Sequence, residues 1–107
     1  MKEYTGTKSL QSNMSKHILE LYVNGSSLTS VEAIDTLRSI CEENLQGNCD
    51  VEIIDVQKDP ERAEQAGILA IPTLIRKWPL PESRIIGALT VKSRVLAGLG
   101  ITNGNGH

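Results

Sequence analysis

Phenylalanine is absent from this 107-residue chain, and only Tyr4, Tyr22 and Trp78 are aromatic. Readers of single-stranded nucleic acid stack bases on aromatic platforms, so the shortage argues against a nucleic-acid partner. Cysteine is equally scarce. Cys41 and Cys49 are too few for a disulfide framework, and a reducing compartment keeps such residues as thiols. No stretch approaches the roughly 20 apolar residues of a membrane-spanning helix. Residues 1–15 hold no continuous apolar block, so no secretory or transit signal is read there and a cytoplasmic location is the expectation. Charge of either sign is modest, −2 overall, but residues 1–57 carry four basic and nine acidic side chains against seven and four in residues 58–107. The later excess gathers in Arg76, Lys77, Arg84, Lys92 and Arg94. Such a face suits solvent or an anionic protein partner.

What is present, 39% hydrophobic residues in a short chain, fits one small domain. Residues 1–15 and 102–107 lack apolar periodicity and read as flexible tails around a folded part at 16–101. From His17 both faces of His-Ile-Leu-Glu-Leu-Tyr-Val are largely apolar, the mark of a central strand. After the Asn24–Thr29 loop, Thr29 and Glu32 form a capping box, and Val31, Ile34, Leu37, Cys41 and Leu45 recur at helical spacing up to Gly47-Asn48. On this apolar stripe Cys41 reads as a small buried hydrophobe, while Cys49 falls in a loop; a bridge between them stays open. Val51–Val56 reads as a second strand, parallel to the first through a right-handed crossover. Asp59-Pro60 opens a short helix that Gly67 stops. Because Pro72 has no N–H for a ladder, the third strand begins after it, at Thr73–Arg76. Trp78-Pro-Leu-Pro81 is a turn, Arg84–Gly87 a fourth strand, and Thr90 caps a last helix with Val91, Val95, Leu96 and Leu99.

The order β-α-β-α-β-β-α, an α/β chain with a mixed four-stranded sheet and Pro72 just ahead of the third strand, resembles the thioredoxin fold. The resemblance implies a cis peptide at Pro72. Enzymes of that fold hold a nucleophilic thiol at the start of the first helix and a resolving thiol one turn on. Here the place is taken by Gly25-Ser-Ser-Leu-Thr-Ser30, with no cysteine. Ser26 or Ser27 activating glutathione is the remaining enzymatic reading, weakened by the plain suitability of loop serines for turns. His17, His107 and two separated cysteines lack metal-ligand spacing, and neither a phosphate-binding loop nor a nucleophile elbow occurs. No cofactor is expected.

Six segments in fixed order carry a closer resemblance: Leu19-Glu-Leu-Tyr-Val-Asn-Gly25 with Ser30 and Ala33, Val51-Glu-Ile-Ile-Asp-Val56 with Lys58 and Pro60, Ile68-Leu-Ala-Ile-Pro-Thr-Leu74, Pro79-x-Pro81, Arg84-Ile-Ile-Gly87, and Val95-Leu-x-Gly-Leu99. Over 16–101 the chain resembles KaiB, the small protein of the bacterial circadian clock. The resemblance implies a non-enzymatic regulator that binds the N-terminal ring of a KaiC-type ATPase, competes there with a KaiB-like sensor domain of a histidine kinase, sequesters a KaiA-like protein and lowers KaiC autophosphorylation. It also implies a fold switch between a monomer of thioredoxin-like topology and a tetramer with a rearranged second half. On this basis Pro72, Pro79, Pro81, Gly87 and Ala88 are hinge candidates, and Lys58, Arg76, Lys77 and Arg84 partner-binding candidates. Three departures fall in the switching half: Leu80 breaks a three-proline run, Ala88 replaces an acidic residue, and residues 102–106 are neutral where the family's tail is acidic. A stand-alone module that self-associates as a dimer or tetramer is a third reading.

Overall fold

The computed structural model describes residues 16–87 and 89–101. Seven elements follow in the expected order: β1 (His17–Val23), α1 (Leu28–Glu43), β2 (Cys49–Asp55), α2 (Pro60–Ala66), β3 (Thr73–Trp78), β4 (Ser83–Ile86) and α3 (Lys92–Leu99). They build one mixed sheet of order β2-β1-β3-β4, with β1 and β2 parallel and the other neighbours antiparallel. The two-sided hydrophobicity of β1 thus does mark an inner strand. Val51 and Ile53 stay 39% and 44% exposed because β2 is an edge strand.

Alternation along β1 divides the core. Leu19, Leu21 and Val23 pack with Ala33, Leu37 and Ile40 of α1 and with Val95, Leu96 and Leu99 of α3. On the other face Tyr22, Ile54 and Ile75 form a smaller cluster beneath α2, joined by Ala63, Ala66 and Ile68. With only seven residues, α2 cannot cover the whole face, and Ile18 and its register partner Trp78 remain 40% and 44% exposed.

Local chemistry corrects several boundaries. Ser27, not Thr29, caps α1, its Oγ accepting from the Ser30 N–H. The buried stripe of α1 is Ser30, Ala33, Leu37 and Ile40; of the expected Val31–Leu45 pattern Leu37 and Leu45 are in the core, Ile34 and Cys41 pack against it half-buried, and Val31 is 41% exposed. The helix ends at Asn44 rather than at Gly47. Thr90 likewise does not cap α3; Val91 holds that position without a side-chain hydrogen bond. The α2 signals hold: the Asp59 side chain accepts from the Arg62 N–H, Pro60 opens the helix, and Gly67 closes it at φ 68°, a conformation that favours glycine. The expected tails, 1–15 and 102–107, and the hinge candidate Ala88 lie outside the described residues.

Candidate functional site

In the loop from β1 into α1, short polar side chains serve the loop itself. The Ser27 hydroxyl donates to Ser30 Oγ at 3.0 Å, and Ser30 Oγ, fully buried, also accepts from the Asn24 N–H at 3.0 Å. Asp55 Oδ1 accepts from the N–H groups of Gly25 at 3.2 Å and Gln57 at 2.9 Å. Ser27 is therefore a helix cap within a hydrogen-bonded turn, and among the described residues no basic side chain bonds it to prepare a nucleophile. Facing the first turn of α1 is buried Pro72, in cis linkage to Ile71 as the resemblance implied; Trp78–Pro79 and Leu80–Pro81 are cis as well. A shallow groove of about 330 Å³ runs between them, lined by Thr29, Glu32, Ile71, Pro72, Gly87 and Leu89. Two hinge candidates meet there, for the Gly87 N–H donates to Pro72 O at 3.4 Å and Gly87 has φ 102°. Pro79 and Pro81 lie at the opposite end of β3, in the turn to β4.

The four cationic candidates do not form one patch. Arg76 donates from Nη1 to Leu99 O at 2.6 Å and from Nη2 to Pro81 O at 2.8 Å, tying the end of α3 to the β3–β4 turn. Arg84 reaches across the sheet to the carbonyls of Ala66 and Gly67, where it completes the C-terminus of α2. Lys77 pairs with Glu82 across the same hairpin at 3.2 Å. Lys58, exposed in the turn after β2, makes no side-chain hydrogen bond or ion pair among the described residues.

A second cluster was not singled out from sequence. Arg62 on α2 grips Glu52 of β2 with two bonds of 2.7 and 3.0 Å and reaches Glu20 of β1 at 3.4 Å. Tyr22 donates to Glu20 at 3.0 Å, so one guanidinium connects α2, β2 and β1. The Arg62 bonds hold the Glu52 carboxyl below its ordinary range, and those of Lys92 do the same to Glu43. Burial, then the Glu20 carboxylate, pushes the Tyr22 phenol up. The available signal was the alternation that sets Glu20 beside Glu52 on the α2 face, but recognising it requires the β1–β2 register.

The cysteines correct an expectation. Cys41 and Cys49 are not free thiols; they are joined in a disulfide, with Cα atoms 5.9 Å apart. Cys49 is the first residue of β2 rather than part of a loop, and both residues are half-buried. They border a groove of about 270 Å³ between α1 and β2, at the opposite end of α1 from Ser27. Among the described residues no group of His, Cys, Asp and Glu is placed to hold a metal, and no helix is long and apolar enough to cross a membrane.

Known proteins resemble the chain at two levels. The KaiB domain model matches residues 20–101. The circadian clock protein KaiB3 of Synechocystis sp. is 44% identical over 89 residues, covering 83% of this chain and 87% of that protein. The circadian clock oscillator protein KaiB of Synechococcus elongatus is 47% identical over 88 residues, 82% of this chain and 86% of its own length. Among solved structures, the N-terminal domain of Synechococcus elongatus SasA superposes with a TM-score of 0.62 at 19% identity, over 79% of this chain and 84% of that domain. The Drosophila thioredoxin Deadhead gives 0.65 at 18% identity over 87% of each chain. At such identities these two likenesses establish the thioredoxin-like fold alone.

Proposed function

The chain belongs to the KaiB family, and on that premise we propose that it is a non-enzymatic regulator that binds a KaiC-type ATPase and modulates its phosphorylation cycle, in circadian or stress-related timing. The observation that carries the proposal is the helix start at Ser27: where enzymes of this fold place a thiol, this chain places a cap whose hydroxyl is engaged by Ser30. A fold kept without its nucleophile is suited to binding. The working location is the cytoplasm, and a KaiA-like protein or a histidine kinase contending for the same ATPase completes the partner set. Lys58 supplies the direct contact, since its charge is the one among the four candidates that no neighbour engages among the described residues. Arg76, Lys77 and Arg84 keep the surface around the hairpin and α2 in shape.

The family's fold switch is part of the proposal, with Pro72, Pro79, Pro81, Gly87 and Ala88 in the segment that rearranges and a dimer or tetramer as the alternative state. Two slowly exchanging sets of amide resonances over 68–101 are the expected sign, and a single set under all conditions, unchanged by Gly87→Ala, counts against it. Copurification from native lysate with and without ATP tests the main reading. Recovery of a KaiC-type ATPase supports it, and repeated absence of any such ATPase overturns it. Disulfide-reductase and glutathione-conjugation assays should be blank; activity lost on Ser26→Ala would instead establish an enzyme.

A further inference from the structure

We infer that the Cys41–Cys49 disulfide is a thiol-reversible latch that sets how firmly the start of the edge strand β2 is held. Its two ends belong to different elements, the last turns of α1 and the first residue of β2, at a Cα separation normal for a disulfide. The bond does not lie sealed in the core. Both cysteines border the open groove together with Leu37, Arg38, Glu42 and Val51, so a small thiol reaches the sulfurs without unfolding the domain. Arg38, whose guanidinium lies 3.9 Å from the Asp35 carboxylate, and Glu42 line this groove with opposite charges.

The connecting segment has its own backbone bonds. Leu45 N–H donates to Ile40 O at 3.1 Å, Gly47 N–H to Cys41 O at 2.8 Å, and His17 N–H to Asn48 O at 2.9 Å, while Leu45 is in the core. The fold therefore survives opening of the bond. What changes is local, because β2 is paired on one side only and its start is tied to the rest of the molecule by the β1 ladder, the Lys16–Asp50 ion pair, the packing of Cys49 on the core and this disulfide.

The proposed co-reactant is a small-molecule thiol of the glutathione class. Its thiolate attacks one sulfur to form a mixed disulfide and expels the other as a thiolate, which takes up a proton. A second thiol then releases the remaining cysteine, so two thiols are oxidised to one disulfide as the protein gains two thiol groups. Oxidised glutathione reverses the sequence.

Incubation of the full chain in graded mixtures of reduced and oxidised glutathione, followed by acid quench, alkylation and mass measurement, tests the latch, with hydrogen exchange read on the same samples. The expected result is a passage from two alkyl groups to none across the mixtures. With it, exchange of the amides over 49–53 becomes about tenfold faster on reduction, while β1 and β3 are unchanged. Cys41→Ser and Cys49→Ser should show the fast pattern in every mixture. A chain doubly alkylated in pure oxidised glutathione, one never alkylated in millimolar reduced glutathione, or one that converts without any change at 49–53 would each overturn the inference. None of these outcomes depends on an ATPase partner, so the latch and the proposed function stand or fall separately.

Discussion

Ser30 shows how much of the molecule hangs on single polar atoms. Its hydroxyl is fully buried and receives both the Asn24 N–H and the Ser27 hydroxyl, so it closes the turn that a catalytic thiol occupies in enzymes of this fold. Ser30→Ala leaves the Asn24 donor without its partner and should destabilise the protein by about 1–3 kcal/mol in urea unfolding. Ser27→Ala should cost about 1 kcal/mol through the lost cap. At this scale the sequence was partly legible. The run of serines and threonines announced a helix start, but which hydroxyl caps, Ser27 or Thr29, depends on the packing of Ala33, Leu37 and Ile40 in the core. The charged candidates were legible as charges and not as roles: Arg76 and Arg84 turn inward to carbonyls that are distant in sequence.

Elements were read more reliably than residues because helix caps, proline and period-two alternation act locally. All seven appear in order, and the interior position of β1 followed from its two apolar faces. The edge position of β2 did not, since Val51-Glu-Ile-Ile-Asp-Val56 is nearly as apolar as an inner strand while Val51 and Ile53 remain exposed. The short helix α2 depends on its neighbours: among the described residues it contains no buried side chain, and it is held to the sheet by Arg62 on one flank and by Arg84 at its end. Arg84→Ala should accordingly speed amide exchange over 60–68 by roughly tenfold while α1 is unaffected. Lys58→Ala should leave exchange everywhere unchanged and weaken recovery of the ATPase. Equal effects of the two substitutions on α2 would contradict these separate assignments.

For the whole molecule, ion pairs on the acid side and the buried Tyr22 phenol on the alkaline side bound the pH window of full stability. Glu52 and Glu43 have folded-state pKa values below their unfolded ones, so their stabilisation is complete above the ordinary carboxylate value of about 4 and disappears as the pH falls through the lower folded values. Tyr22 is shifted the other way; its contribution is complete below the ordinary phenol value of about 10 and is lost as the pH rises through the higher folded value. The melting temperature should therefore be flat between those limits and fall on both sides. Glu52→Gln should flatten the acid limb, and 1 M salt should weaken it by screening these exposed pairs.

The short reach of α2 leaves Trp78 at the open end of β3, and this is the single tryptophan of the chain. Excited beyond the tyrosine band, the molecule is optically dark except at that point. Its fluorescence is thus a label-free reporter of the β3–β4 hairpin and of the start of β1 that pairs with it. A partner landing on the hairpin, or a rearrangement of it, moves the emission maximum, and because Trp78 pairs with Ile18, next to the His17 that pairs with Cys49, the start of β2 lies only two strand spacings away at the same end of the sheet.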